Sequence, residues 1–197
     1  MKRLPEARGL SLLEVTFMMT LLAALGAAIA PTLAATVRNA RTARALLDAQ
    51  TIRDAIDNFK GNGFSIFTST GTQLAADQVE FLYGDGDIPE AGSSALWRTT
   101  TANNVNDFLE EHLVVNSFNG PFAYSTIASP VWRGAYLNGP VNPDPWGNRY
   151  AVNVVYLGAS VNDVVVLSAG PDEAVDTPET GNPLTAVDDD IAVLVEA

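Results

Sequence analysis

Cysteine is absent from the chain, and histidine occurs once, as His112. The first absence excludes disulfides and thiolate metal sites. The second rules out a histidine metal cluster and leaves little general-base chemistry. Any metal ion must therefore be held by oxygen. Basic residues are also scarce beyond position 60: residues 61–197 carry three against eighteen acids, or −15, while residues 1–60 carry eight against five, or +3. A surface of the former sign repels phosphates, which argues against nucleic acid as a partner, and it suits water and divalent cations.

What the chain does have is apolar surface to bury. Hydrophobic residues make up 47% and charged residues 17% of 197 positions, a mixture for one globular domain with a membrane-compatible appendage rather than for a disordered chain. The appendage is at the amino terminus. After the basic leader "MKRLPEARG", Val15 to Val37 contains no charged residue over 23 positions. At about 1.5 Å per residue, that run crosses a hydrocarbon core of roughly 30 Å. A secretory signal peptide is the alternative, but its apolar region is about 7–15 residues long. Here the run is longer, and the best small-x-small site, "AIA" at 28–30, is followed by Pro31.

Glu14 stands at the mouth of that run. A carboxylate carried into a bilayer costs on the order of 2–3 kcal/mol and is retained where a partner awaits it. A chain cut after Gly9 would begin with an ammonium at Leu10, and Glu14 of a neighbouring copy could meet it in an apolar bundle, setting the register between subunits. "RG" followed by "LSLLEV" and an apolar helix resembles the amino-terminal signal of type IV pilins and of the pseudopilins of type II secretion systems. The resemblance covers roughly residues 1–60. It implies a leader at 1–9, cleavage by prepilin peptidase between Gly9 and Leu10, methylation of Leu10, and the Glu14 role just described. Pro31 matches a proline that the family carries in this helix; physically, it removes one backbone donor and offers a place to bend.

Beyond the apolar run, Ala45, Ala49, Ile52, Ile56 and Phe59 recur at helical steps, with Arg38, Arg41, Arg44, Asp54, Asp57 and Lys60 largely elsewhere. The spacing predicts one helix from Leu10 to about Lys60, with a membrane and filament-core half at 10–37, an amphipathic half at 38–60, and a stop at "GNG". The second half must pack under a headpiece formed by residues 61–197. Arg38, Arg41 and Arg44 read as filament or lipid-headgroup contacts.

The middle of the chain gives less. "DGD" at 85–87 reads as a turn, since the rest of a calcium loop is missing. "NNVNDFLEEHLVVN" predicts a short helix with Asp107 and Glu110 in capping-box spacing and Val105, Phe108, Leu109 and Leu113 on one side. His112 is expected at the surface or half buried. "FAYST" and "VWRGAYL" are candidate strands, and Trp97 and Trp132 are candidate core or interface fillers. Further on, "YAVNVVYL" alternates as a strand, and "DVVVL" at 163–167 and "IAVLV" at 191–195 supply two more. The fold class expected is α+β, a pilin-like long helix packed on a small antiparallel sheet.

Between the last two strands lie Asp172, after "SAGP", and Asp188, Asp189 and Asp190. They form either a solvated acidic loop or a site for Ca²⁺, which takes six to eight oxygens and would pin a long loop with no other staple. "DPWGN" at 144–148, "SAGPD" and "DDDI" are similar to the major pseudopilin of type II secretion and its relatives. That resemblance implies a structural Ca²⁺ held by Asp172 and Asp190, by Asp188 or Asp189, and by carbonyls near Leu167 and Ser168. Arg149 stands where relatives often have proline, and the middle segment is longer than usual for the major subunit.

The resemblance further implies a non-enzymatic subunit anchored in the bacterial inner membrane with its headpiece in the periplasm, and assembly into a homo-oligomeric filament in the periplasm or at the cell surface. Its partners would be prepilin peptidase, an ATPase-driven inner-membrane assembly platform and minor pseudopilins. A surface pilus for adhesion, motility or DNA uptake, and a membrane-anchored binding domain, are the alternatives.

Overall fold

The computed structural model describes residues 11–94, 97, 106–118, 120–158 and 161–196. One helix, α1 (Leu12–Gly61), runs through Pro31 without interruption. Ser11 starts it, accepting the amide of Glu14 on both its carbonyl (3.0 Å) and its hydroxyl (3.2 Å). That hydroxyl serves as an N-cap, and "SLLE" is a capping-box spacing, so Glu14 has a local reason to be acidic as well. At the other end, the amides of Asn62 and Gly63 close onto Phe59 and Lys60 as the "GNG" stop requires.

The chain divides into two compact units at Arg41 and Thr42. In the first, α1 is long and apolar enough to cross a membrane, and none of its most apolar window is buried. Leu12, Phe17, Leu22 and Leu33 are all exposed. Thr16, Thr20, Thr32 and Thr36 each turn their hydroxyl back onto a carbonyl one turn earlier, at 2.7–2.9 Å.

In the second unit the helix lies on a sheet. Strands β1 (Phe81–Tyr83), β3 (Asn106–Phe108), β4 (Ala151–Val152), β5 (Val164–Ser168) and β7 (Ile191–Glu196) form it in the order β3-β1-β4-β5-β7. All pairs are antiparallel except β1 with β3. A two-stranded parallel pair, β2 (Glu90–Ala91) with β6 (Ala174–Val175), stands apart. All five expected helix positions, Ala45, Ala49, Ile52, Ile56 and Phe59, are buried, and the last four, joined by Ala55, share one core with sheet residues. Phe59 anchors the contact, stacked at 4.3 Å on both Phe64 and Phe67 and edge-on to Tyr124 at 5.1 Å. The opposite sheet face buries Phe81, Tyr83, Trp97 and Val165, so β5 is covered on both sides, as its unbroken apolar run requires. The architecture is pilin-like.

Four expected elements differ. "YAVNVVYL" is a strand only over Ala151–Val152, then a 3₁₀ turn over Val154–Tyr156. Asn153 is the cause: its side-chain amide donates to the carbonyls of Asp163 and Glu179 and its Oδ1 accepts the Val165 amide, replacing the ladder with side-chain bonds. The helix expected across 103–116 gives way to β3 over Asn106–Phe108 and becomes helical only from Leu109, closing as a π-turn over Glu111–Val115. Parallel pairing with β1 captures the first residues and leaves Phe108 54% exposed, while Leu109 and Leu113 are buried as expected. Val105 lies outside the described residues. "FAYST" and "VWRGAYL" form no strand among the described residues beyond a single bridge between Phe118 and Phe122. "DGD" is a bend, pinned by the Asp87 amide on the Gly147 carbonyl.

Candidate functional site

The acidic loop begins where β5 ends. Leu167 and Ser168 are the last residues of that strand, in register with Ala192 and Ile191 of β7. The Ser168 hydroxyl donates to Asp144 Oδ2 at 2.6 Å, and Asp144 Oδ1 accepts the amides of Trp146 and Asn148. The aspartate of "DPWGN" is thus a buried clasp that ties this turn to "SAGPD". Gly170 follows with φ +71, and a Cβ there would lie 2.2 Å from the Asp189 carbonyl oxygen, so glycine is what lets the two ends of the loop meet.

The carboxylates of Asp172, Asp176 and Asp188 lie within 4.8 Å of one another, the first and last exposed and the middle one partly buried. These three can hold a metal ion. Asp172 and Asp188 were expected from the sequence; Asp176 was not, although it sits one helical step past Asp172 in the same loop. Asp189 and Asp190, also expected, lie beside this cluster and each accepts backbone amides of the loop. Asp189 Oδ2 accepts the Asp172 amide at 3.1 Å, and Asp190 Oδ2 accepts those of Asp176 (3.0 Å) and Thr177 (2.7 Å). Thr177 Oγ1 in turn accepts the Val187 amide, next to Asp188. The carboxylates of Asp189 and Asp190 therefore hold the backbone that carries the other three. Burial pushes the Asp190 carboxyl above its ordinary range; burial and then the negative Asp172 do the same for Asp189.

The loop also has staples that the sequence did not reveal. Its β6 pairs with β2, Trp97 Nε1 donates to the Thr177 carbonyl at 2.9 Å, and buried Asp163 accepts the Leu184 amide at 2.7 Å.

His112 departs from its expected half-exposed position: it is fully buried. Its Nδ1 lies 2.8 Å from the Tyr124 hydroxyl, which accepts the Thr68 amide, and its Nε2 lies 3.1 Å from Asp107 Oδ2, poorly aligned for a full hydrogen bond. A neutral ring with its proton on Nε2 satisfies this chain, with Tyr124 donating to Nδ1. Burial holds the imidazole below its ordinary value against the pull of Asp107. Burial works to raise Asp107, but His112 and Glu111 outweigh it and hold that carboxyl low. Asp107, helped by burial, pushes Glu111 up to about 7. The ring stacks 4.3 Å from Phe118, closed to solvent.

At the amino end, Gly9 and Leu10 lie outside the described residues. Glu14 is exposed in the first turn of α1, and its carboxylate has no partner among the described residues. No family model matches the chain, and no curated protein or solved structure is significantly similar to it.

Proposed function

We propose that this chain is a structural subunit of a type II secretion pseudopilus, processed between Gly9 and Leu10 and assembled into a helical filament that supports protein export. The observation that carries the reading is the uncovered apolar length of α1 up to Val37, with an unpartnered Glu14 at its head. Such a surface requires lipid or other apolar helices around it. In lipid it anchors the subunit in the inner membrane with the headpiece in the periplasm; in a bundle of copies it forms the filament core, where Glu14 meets the amino terminus of a neighbour. The reading assigns the chain no reaction. Prepilin peptidase, the assembly platform and minor pseudopilins are its partners.

In the same reading the acidic loop takes Ca²⁺. The donor set is all oxygen and carries three carboxylates, the chemistry a hard cation prefers. Asp172, Asp176 and Asp188 hold the ion, which neutralises their mutual repulsion, and Asp189 and Asp190 keep their backbone in position.

Two measurements test the reading. Mass spectrometry of the protein from its native cells should find a chain that starts at a methylated Leu10; an intact Met1 would refute it. Glu14→Ala should reduce filament formation and export at least tenfold, and assembly at the level of the unaltered protein would refute the register role. Loss of motility or surface fibres on deletion, with export intact, would favour a surface pilus instead.

A further inference from the structure

A pocket of about 210 Å³ opens beside the ends of β1 and β3, lined among others by Tyr83, Asp85, Phe108, Glu110 and Glu111. Asp85 and Glu110 are acids with no arginine or lysine within 4.0 Å among the described residues, and Glu111, pushed up to about 7 by Asp107, is a third carboxyl that an incoming cation would help to ionise. Phe108 is half exposed, and Tyr83, only 4% exposed, carries a hydroxyl without a hydrogen-bond partner. Carboxylates beside aromatic rings form a socket for a planar cation: a guanidinium donates to the acids through its edge and lies against a ring with its face. One face of the Tyr83 ring is already covered by Arg149 at 3.7 Å, which leaves the half-exposed Phe108 as the ring open to an incoming guanidinium.

The chain carries the matching group elsewhere. Arg44 and Arg53 are engaged by Asp48 and Asp54, but Arg38 and Arg41 are exposed, lie three residues apart on one stripe of α1, and have no carboxylate partner among the described residues. They follow directly on the uncharged run that ends at Val37. Where copies bundle along that run, headpieces that carry −15 over residues 61–197 repel one another, and cationic side chains of neighbouring copies would offset that repulsion.

We propose that the Asp85–Glu110–Glu111 pocket receives the Arg38–Arg41 stripe of a second copy of this chain, an inference that rests on the filament reading. The contact joins two different surfaces, so it propagates from copy to copy instead of closing a dimer. Its charges sit beside the aromatic rings of the pocket, where an ion pair is less screened than on open surface.

The test uses the full chain in cells. Glu110→Lys with Glu111→Lys should lower filament yield at least tenfold, and adding Arg38→Glu with Arg41→Glu should restore it to within about threefold. Because the chain has no cysteine, proximity can be read without background: copies carrying Thr42→Cys and differently tagged copies carrying Phe108→Cys should form a mixed disulfide under mild oxidation. Filaments that form normally with the charge-reversed pocket, or that give no mixed disulfide, overturn the pocket assignment while leaving the filament reading standing. An unaltered protein that forms no filaments overturns both.

Discussion

Gly170→Ala separates a conformational cost from a collision. Gly170 has φ +71, and its Cβ would stand 2.2 Å from the Asp189 carbonyl oxygen and 2.9 Å from its carbonyl carbon. An L residue in the left-handed region costs roughly 1–2 kcal/mol on its own. The collision adds to this, because the obstacle is backbone and must move by about 1 Å to reach ordinary contact. That movement pulls Asp189 away from the Asp172 amide, a charge-assisted bond worth about 1–2 kcal/mol at a partly exposed site. The total is about 3 kcal/mol, or roughly 6–12 °C in Tm for a unit of this size. Gly147→Ala is the internal control: Gly147 also has positive φ (+103), but nothing lies within 4 Å of its Cβ. Thermal melting of a soluble fragment from Thr42 onward, with and without Ca²⁺, reads both effects. Gly170→Ala should lower Tm well beyond Gly147→Ala and weaken Ca²⁺ binding at least tenfold. Equal losses in the two variants would refute the collision argument, and unchanged Ca²⁺ affinity would refute the link from Gly170 to the carboxylates.

Phe59→Ala removes the ring that stacks on Phe64 and Phe67, and should destabilise the headpiece fragment by about 3–5 kcal/mol in urea unfolding; a loss under about 1 kcal/mol would mean that the helix is held elsewhere. Asp172→Asn, Asp176→Asn and Asp188→Asn should each abolish the upward Tm shift with Ca²⁺, whereas Asp190→Asn, which keeps an acceptor for the amides of Asp176 and Thr177, should retain most of it. His112 and Glu111 tilt stability against pH in opposite senses. The buried imidazole stays neutral where the unfolded chain binds a proton, so its contribution is lost as pH falls through about 6.5. Glu111 keeps its proton in the folded state up to about 7, so stability falls as pH rises from its unfolded value toward 7. Glu111→Gln removes the second slope, and Tm should then climb more steeply between pH 5 and pH 7 than in the unaltered protein; an unchanged profile would show that Glu111 does not titrate there.

Periodicity made the helix legible because burial leaves its mark at every turn: each of Ala45, Ala49, Ile52, Ile56 and Phe59 faces the core. Strands β5 and β7 were legible for the same reason, their apolar runs being bounded by turn residues. Asn153 and β3 were not. Alternation predicts a strand wherever a side chain leaves the ladder alone, and Asn153 instead takes over three backbone partners that are distant in sequence. A parallel partner like β1 for Asn106–Phe108 leaves no local trace at all. In the acidic loop the sequence pointed to the stretch where three carboxylates converge, but not to the division of labour. Which aspartates meet a cation and which hold amides depends on the turn at Gly170 and on the left-handed Asp188, neither of which a run of identical letters can encode.

If the chain is the filament subunit proposed above, the threonines of α1 have a consequence for how it would leave the membrane. With the hydroxyls of Thr16, Thr20, Thr32 and Thr36 spent on their own helix, the outer skin of that segment is hydrocarbon alone. Transfer from lipid tails to the flanks of sister helices then swaps one oil for another, with no hydrogen bond broken or gained along the way. Such a segment supplies little driving force in either direction and little friction. The direction of travel has to be set by the polar parts at its two ends.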